Sequence, residues 1–369
     1  MTAGGSLGRL AAGRLLRRPV AVAAVAVLTA VALACLVGPL LTGHAPGRIY
    51  PDLVRVAPGP AAHPRGDDLP DILARLAFRM RVRLEAVVRE PGTVRLTLAA
   101  DRPIDPRVLT ALPRSDLFGT PVVLSRAEDG RGLVVSVPVR RLHFLLGTDA
   151  LGRDILSRSL VAGRVSLLIG LVATAVALLV GVVYGAVAGF SGGTLDAVMM
   201  RIVDILYALP FVFFVIVLLV FFRANLVLIL AAIAAVEWLD MARLVRAQTR
   251  ALRHRDFVRA AEALGRSRAA ILARHVVPNT LGVVVVAATS LVPRVILLES
   301  FLSFLGLGVQ EPETSWGALV ADGARSLETA PWMLAGPAAF LVATLVSLNL
   351  IGDALSDALD PRLRDLSAT

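Results

Sequence analysis

The strongest constraint on this chain is a series of runs of about 20 mostly apolar residues, each long enough to cross a hydrocarbon core as a helix. The first, Val20 to Leu41, holds no charge and follows Arg9, Arg14, Arg17 and Arg18. A cleavable signal peptide has an apolar core of only about 7–15 residues, so the longer run predicts a retained anchor. A second span is read over Val165 to Ala188, where Gly181, Gly185 and Gly189 recur at four-residue spacing. Small residues on one helix face predict close approach of a second helix. Ile202 to Phe222 reads as a third span, interrupted by Asp204 and Pro210, and Arg223, Ala224 and Asn225 form a polar break. Leu226 to Leu244 is a fourth, with Glu237 and Asp240 near its end. Leu281 to Leu298, with Pro293 and Arg294, is a fifth, and Trp332 to Ile351, with Pro337, a sixth.

Composition agrees. Hydrophobic residues make up 56% of the chain and charged residues 18%, against about 45–50% and about 25% in soluble proteins. The net charge is +10 and no lysine is present. A Walker phosphate-binding loop needs that lysine, so ATP hydrolysis by this route is excluded, as is Schiff-base chemistry. Cys35, the single cysteine, excludes an intrachain disulfide or a cysteine-rich metal site. His44, His63, His143, His254 and His275 are scattered, with spacing that fits no metal centre. Nor is there a paired base and nucleophile for intramembrane catalysis. Nine arginines from Arg243 to Arg274 crowd the stretch between spans four and five, whereas Glu299, Glu311, Glu313, Asp322 and Glu328 dominate the next one. Arginine-rich short loops stay cytoplasmic. The charge therefore reads as topology rather than nucleic-acid binding, with both chain ends inside; Arg362 and Arg364 agree.

Residues 42–145 then fall outside the membrane. Pro46, Pro51, Pro58, Pro60, Pro64 and Pro70 suggest an extended linker. Asp71 to Met80 suggests a short helix. Val82, Leu84, Ala86 and Val88 alternate with Arg81, Arg83, Glu85 and Val87, the period of a half-buried strand. Glu90-Pro91-Gly92 marks a turn before Val94, Leu96 and Leu98. Asp105 to Leu112 reads as helical, with Pro106 in its first turn. Val122–Leu124 and Leu133–Val137 suggest a second hairpin around Asp129-Gly130. A small α+β domain is expected within 71–142.

In the arginine-rich segment, Phe257, Val258, Ala260, Ala261, Ala263 and Leu264 supply an apolar face, Gly265 interrupts the pattern, and Ser267 can cap a following helix. Pro278 is read as the stop of that second helix. Arg259 and Glu262, three apart, are within pairing reach. Two short amphipathic helices under the membrane are expected.

This stretch, Arg259-Ala260-Ala261-Glu262-Ala263-Leu264-Gly265 followed by Arg274-His275-Val276-Val277-Pro278-Asn279, resembles the EAA signature of ABC-importer permeases. Arg259 stands where that signature has its first Glu, and Val277 where it has Leu. Gly147-Thr148-Asp149, Leu151-Gly152-Arg153-Asp154 and Leu156-Ser157-Arg158 resemble the segment before span two in dipeptide, oligopeptide and nickel permeases. Gly192-Gly193, Asp196, Met200-Arg201, Asp204 and Pro210 resemble the same family, as do Glu299, Ser303–Gly308 and Ser315-Trp316-Gly317. Asn349, Gly352-Asp353 and Asp357–Arg362 complete the series, which looks most like the second, C-type permease of a pair.

The resemblance implies an all-α membrane protein of six transmembrane helices. These are a MetI-like permease core of five plus one N-terminal helix; the small extracytoplasmic α+β insertion between helices 1 and 2 is read from the alternation above, and the resemblance does not extend to it. The domains would be 1–19 cytoplasmic, 20–41 the first helix, 42–145 the outside segment, 146–353 the permease domain and 354–369 a cytoplasmic tail. The implied partners are a second homologous permease, two cytoplasmic ATPases, an extracytoplasmic binding protein and membrane lipid, with no cofactor on this chain. Residues 255–276, with Arg259, Ala260, Ala261, Glu262, Gly265, His275 and Pro278, would couple to an ATPase. Asp204, Pro210, Glu299, Ser303 and Gly306 are candidates for the translocation path or gate, and Asp149, Gly152, Arg153 and Asp154 form the external motif. Ser303–Gly308 suggests a re-entrant lip and Trp316 an interfacial anchor. The expected solutes are di- or oligopeptides, with nickel or another solute as the alternative. A self-sufficient secondary transporter is the competing class, though internal repeats of spans are not seen.

Overall fold

The computed structural model describes residues 18–222 and 225–359. Arg9, Arg14 and Arg17, the Arg223-Ala224 break, and Asp360-Pro361-Arg362 with Arg364 lie outside the described residues. The chain divides into two compact units, and Thr42–Arg158 with Ser326–Gly336 forms one of them.

The first helix, α1 (Pro19–Leu41), belongs to the membrane unit. The insertion follows. The proline-rich stretch is not the extended linker expected. Tyr50 and Leu53 are only 2% and 3% exposed and join the insertion's core, because two large apolar side chains gain more from burial than a free tether would. β1 (Ala62–His63) pairs antiparallel with β6 (Leu142–His143). Helix α2 (Leu69–Met80) buries Ile72, Leu73, Leu76 and Met80 along one face. β2 (Arg83–Glu90) and β3 (Thr93–Ala99) form the first hairpin. A 3-10 turn, Pro106–Thr110, capped by the Asp105 carboxylate on Arg107 N, leads into α3 (Ala111–Arg114). β4 (Val122–Arg126) and β5 (Gly132–Pro138) form the second hairpin. Because β5 also pairs with β3, the hairpins merge into one antiparallel sheet of order β2-β3-β5-β4. Val94, Leu96, Leu98, Leu133, Val135 and Val137 turn inward from its two central strands. The alternation read in β2 slips at a bulge between Leu84 and Ala86. Val87 therefore packs inward while Val88 is 51% exposed; an extra residue flips every side chain beyond it.

The membrane unit is helical. α4 (Ile155–Ser191) is about 55 Å long at 1.5 Å per residue, far beyond the span read from sequence. The third span is not straight: α5 (Gly193–Ala208) and α6 (Phe211–Phe221) meet at 80° around Leu209-Pro210. Proline lacks the N–H that would continue the ladder and restricts the residue before it. α7 (Leu226–Arg253) is capped by Asn225, which accepts from Leu228 N at 2.8 Å, and carries the helix well past Leu244. α8 (Asp256–Ala263) and α9 (Arg268–Ile271) follow, then a π turn, Leu272–Val276, and α10 (Val277–Phe304). Pro278 does not stop a helix. It sits in the first turn of α10, where its missing N–H costs nothing, and Arg268–Phe304 runs as one span. α11 (Trp316–Arg325) and α12 (Trp332–Leu359) are the last elements of the described residues.

Among the described residues four helices are long and apolar enough to cross a membrane, and up to five spans result if the bent pair counts as one. α7 is long but carries Glu237, Asp240 and Arg243 in its middle. The glycine stripe of α4 faces it. A carbon added at Gly181 would lie 2.6 Å from Met241 Cβ, and one at Gly189 2.6 Å from the Arg246 carbonyl oxygen. At Gly185 it would strike the carbonyl of Ala242.

Gly185→Leu is therefore expected to lower the thermal stability of the purified protein sharply, whereas Val183→Leu, at a residue 58% exposed, should leave it unchanged. In the insertion, Leu96→Ala removes a side chain 1% exposed and should cost about 2–5 kcal/mol, measured as loss of protease resistance of residues 42–158.

Candidate functional site

The segment expected to couple begins with α8. Val258 and Ala261, four or fewer residues apart on one face, pack with Phe190 of α4 and with Ile271 and Val276. The opposite face stays open: Phe257 is 41% and Leu264 82% exposed. Gly265 adopts φ +73°, the left-handed conformation that lets the chain turn out of α8. Its N–H donates to the Glu262 carbonyl at 2.9 Å and that of Arg266 to the Ala261 carbonyl at 3.2 Å, closing the helix end. Ser267 then caps α9, accepting from Ala270 N at 3.4 Å. Arg259 and Glu262 do not pair; both are exposed and no ion pair joins them. On a short exposed helix, holding two long side chains together gains little. His275 contributes its carbonyl, which accepts from Asn279 Nδ2 at 2.5 Å across the π turn.

The membrane-level charges are neutralised in pairs. Asp204 of α5 accepts from Arg243 of α7 at 2.8 Å, and that guanidinium lies 4.2 Å from the Tyr207 ring centre. Arg294 of α10 reaches Asp240 at 2.9 Å and lies 3.6 Å from Glu237. The tightest pair had no sequence signal: Arg246 grips both carboxylate oxygens of Asp196, at 2.5 and 2.7 Å.

Glu299 is completely buried on α10. Its Oε1 accepts from Ser303 at 2.7 Å and from Ser315 at 2.6 Å, while Oε2 has no hydrogen-bond partner. The helix ends just beyond, with Gly306 N–H on the Ser303 carbonyl at 3.0 Å and Leu307 N–H on the Leu302 carbonyl at 2.8 Å. Ser303–Gly308 is thus a helix-ending turn, with Leu307 and Val309 returning to the core, rather than a re-entrant lip. Trp316 is not at an interface. It is fully buried, its indole N–H donates to the Ser159 carbonyl at 2.9 Å and its backbone N–H to Ser166 Oγ at 3.1 Å. An apolar ring with a satisfied N–H is stable inside.

The external motif builds its own loop. Asp149 Oδ1 accepts from the backbone N–H groups of Leu151 and Arg153 at 2.8 and 2.9 Å, and Oδ2 accepts from the Arg153 and Arg158 guanidiniums at 2.7 and 2.5 Å. Burial raises the Asp149 carboxyl, but the Arg153 amide and the charges of Arg158 and Arg153 outweigh it and hold it below the usual range. Gly152, at φ +82°, lies against the Tyr50 carbonyl, where no side chain fits. Asp154 caps α4 by accepting from Ser157 N at 2.8 Å, and burial pushes its carboxyl up. Among the described residues no three His, Cys, Asp or Glu side chains gather in a way that could hold a metal ion.

Comparison with known proteins places this geometry. The model of the binding-protein-dependent transport system inner membrane component family matches residues 181–365. The model of the N-terminal TM domain of oligopeptide transport permease C matches residues 6–58. The chain is 56% identical over 232 residues to the oligopeptide transport system permease protein OppC of Escherichia coli (strain K12), covering 63% of this chain and 77% of that one. It is 45% identical over 218 residues to the protein of the same description from Bacillus subtilis (strain 168), covering 59% and 72%. It is 42% identical over 219 residues to the dipeptide transport system permease protein DppC of the same organism, covering 59% and 68%. Among solved structures, a chain of an inward-facing methionine ABC transporter aligns with a TM-score of 0.44 at 17% identity, over 55% of this chain and 96% of that one. The chain belongs to the binding-protein-dependent transport system inner membrane components: it is a multi-pass permease subunit of an ABC importer of the bacterial plasma membrane, a transport component that depends on ATPase and binding-protein partners and is not itself a catalyst.

Proposed function

We propose that this subunit carries oligopeptides, as the C-type half of a permease heterodimer. Six crossings complete the path: α1, α4, the bent α5–α6 pair, α7, the α9–α10 run and α12. On this reading α7 crosses despite its charges, because Arg294, Asp204 and Asp196 neutralise them from neighbouring helices. Both chain ends face the cytoplasm and the insertion faces outward. The permease domain takes up 146–353, between the 42–145 outer segment and the 354–369 tail. The peptide substrate is supported by relatives that carry oligopeptide and dipeptide transport descriptions.

The observation that carries the mechanism is the two-faced α8. Its buried face is bolted to Phe190 and Ile271, while Phe257, Leu264, Arg259 and Glu262 stand free beside it. Exposed apolar side chains rimmed by charge mark a protein interface. Docked in an ATPase, 255–276 passes each nucleotide-driven movement through Phe190 into α4 and through the π turn into α10. Ala260 borders the contact, and Gly265 and Pro278 shape its two ends. ATP binding then shifts the population between inward- and outward-facing states. The bend at Pro210, with Asp204 beside it, is assigned to the moving path. Glu299, Ser303 and Gly306 hold the outer end of α10 in shape.

Reconstitution with both ATPases, the second permease and the binding protein is expected to give ATP-dependent accumulation of labelled tri- to pentapeptides. Nickel uptake in place of peptide uptake would remove the peptide reading, and uptake without the ATPases would remove the importer mechanism. Leu264→Asp should leave the chain stable in the membrane yet reduce coupled uptake at least about tenfold, through loss of an interface anchor. Unchanged uptake and ATPase stimulation would remove residues 255–276 from the coupling role.

A further inference from the structure

The insertion contains a cleft of about 330 Å³ between the 52–57 stretch and the first turns of α2. One family model, ending at residue 58, covers only the 52–57 wall, and the other begins at 181, so the wall formed by His63, Arg65, Asp68 and α2 lies outside both.

Three features of its lining stand out. His63 is only 6% exposed, yet its Nδ1 makes no hydrogen bond, and the nearest carboxylate oxygen, on Asp68, is 3.8 Å away. Burial, aided by the Arg65 charge, lowers the pKa of the ring, so it is neutral at pH 7 and presents an unsatisfied polar atom. Such an atom is costly without a partner. Second, the charges divide into used and unused. Asp52 is held by Arg79 at 3.0 Å and faces Arg75 at 3.6 Å, and Asp68 accepts from Arg65 N at 3.1 Å. The side chains of Arg55, Arg65 and Asp71 have no hydrogen-bond or ion-pair partner among the described residues. Third, Arg55 is held at φ +54°, a conformation that a long side chain adopts rarely. Strain of this kind concentrates where a side chain must be presented.

Two unused cations, an unused anion and a buried neutral donor–acceptor together match a small zwitterion. The volume lies at the low end of about 300–1,000 Å³ for small-molecule sites, which selects a short ligand. We propose that this cleft is a binding site for dipeptides, with the C-terminal carboxylate on Arg55 and Arg65, the ammonium group on Asp71, and the peptide unit on His63 Nδ1. The choice of a peptide over other zwitterions rests on the oligopeptide reading above. The cleft gives the subunit a peptide contact of its own outside the membrane, separate from the binding protein.

The test uses the full chain in lipid nanodiscs without binding protein, and titrates dialanine by calorimetry and saturation-transfer NMR. Saturable millimolar or tighter binding is expected. Alaninamide, which lacks the carboxylate, and N-acetylalanine, which lacks the ammonium, should each bind about tenfold more weakly or worse, as should dialanine to R55Q/R65Q and to Asp71→Asn. All three altered side chains are surface groups, and an unchanged melting temperature checks the fold. Absence of saturable binding to the unaltered chain, or equal affinity in R55Q/R65Q, overturns the site. ATP-driven peptide uptake by the reconstituted complex is measured in parallel. Uptake without cleft binding leaves the importer reading standing and removes this one; cleft binding without peptide uptake does the reverse.

Discussion

The close contact between α4 and α7 is the condition on which the rest of the membrane unit depends. Gly181, Gly185 and Gly189 bring the two backbones together so that main-chain carbonyls of α7 lie where side chains would otherwise be. In lipid, helix association has little hydrophobic drive and relies on such packing. Once α7 is fixed against α4, its charges are fixed too. Asp240 and Glu237 face Arg294 of α10, while Arg243 and Arg246 face Asp204 and Asp196 of α5. A helix that would be expensive in hydrocarbon becomes the hub that ties its neighbours together. Removing Arg246 would leave the buried Asp196 carboxylate with only Arg250, 3.9 Å away.

The same contact continues into the α8–α9 segment. Gly189 sits next to Phe190, and Phe190 is the residue on which Val258, Ala261, Ile271 and Val276 close. α8 thus packs on α4 one residue beyond the glycine stripe. The π turn at Leu272–Val276 supplies a second connection, because α9 and α10 are joined through it without a loop. A proline at the start of α10 removes one backbone donor where none is needed, and the extra residue of the π turn absorbs the change in helical phase.

Local signals in the sequence were readable wherever a short period carried them. The glycine stripe, the inward residues of β3 and β5, the Ser267 cap and the turn at Gly265 all follow from spacing. What depended on distant partners was not. Arg246 has no mark to distinguish it from the exposed arginines nearby, and only the approach of α5 gives it Asp196. Trp316 reads as an interfacial ring because nothing local reveals that Ser159 and Ser166 accept its two N–H groups. Pro278 was ambiguous in principle, since proline follows helix ends and also opens helices. The bulge in β2 inverted Val87 and Val88 without altering the apolar count. The Asp149 loop was legible as a motif, but its role as a closed knot of two amides and two guanidiniums required the fold of residues near Tyr50.

The insertion shows how about a hundred residues can stand between two helices in sequence without being left as a tether. Its entry and exit are clamped together. The His44 ring stacks on Phe144 at 4.9 Å, its Nε2 and the His143 carbonyl lie 3.1 Å apart, and Ala62 pairs with His143 across β1 and β6. Thr148 Oγ1 donates to the Leu53 carbonyl at 2.6 Å, and Ser157 Oγ to the His44 carbonyl at 2.8 Å. With its ends held this closely, the four-stranded sheet folds on its own local pairings, and the entropy of closing the long loop rises only logarithmically with its length. The family motif from Gly147 to Asp154 is part of that clamp. The residues that cap α4 are thus the ones that let an extra domain be accommodated ahead of it.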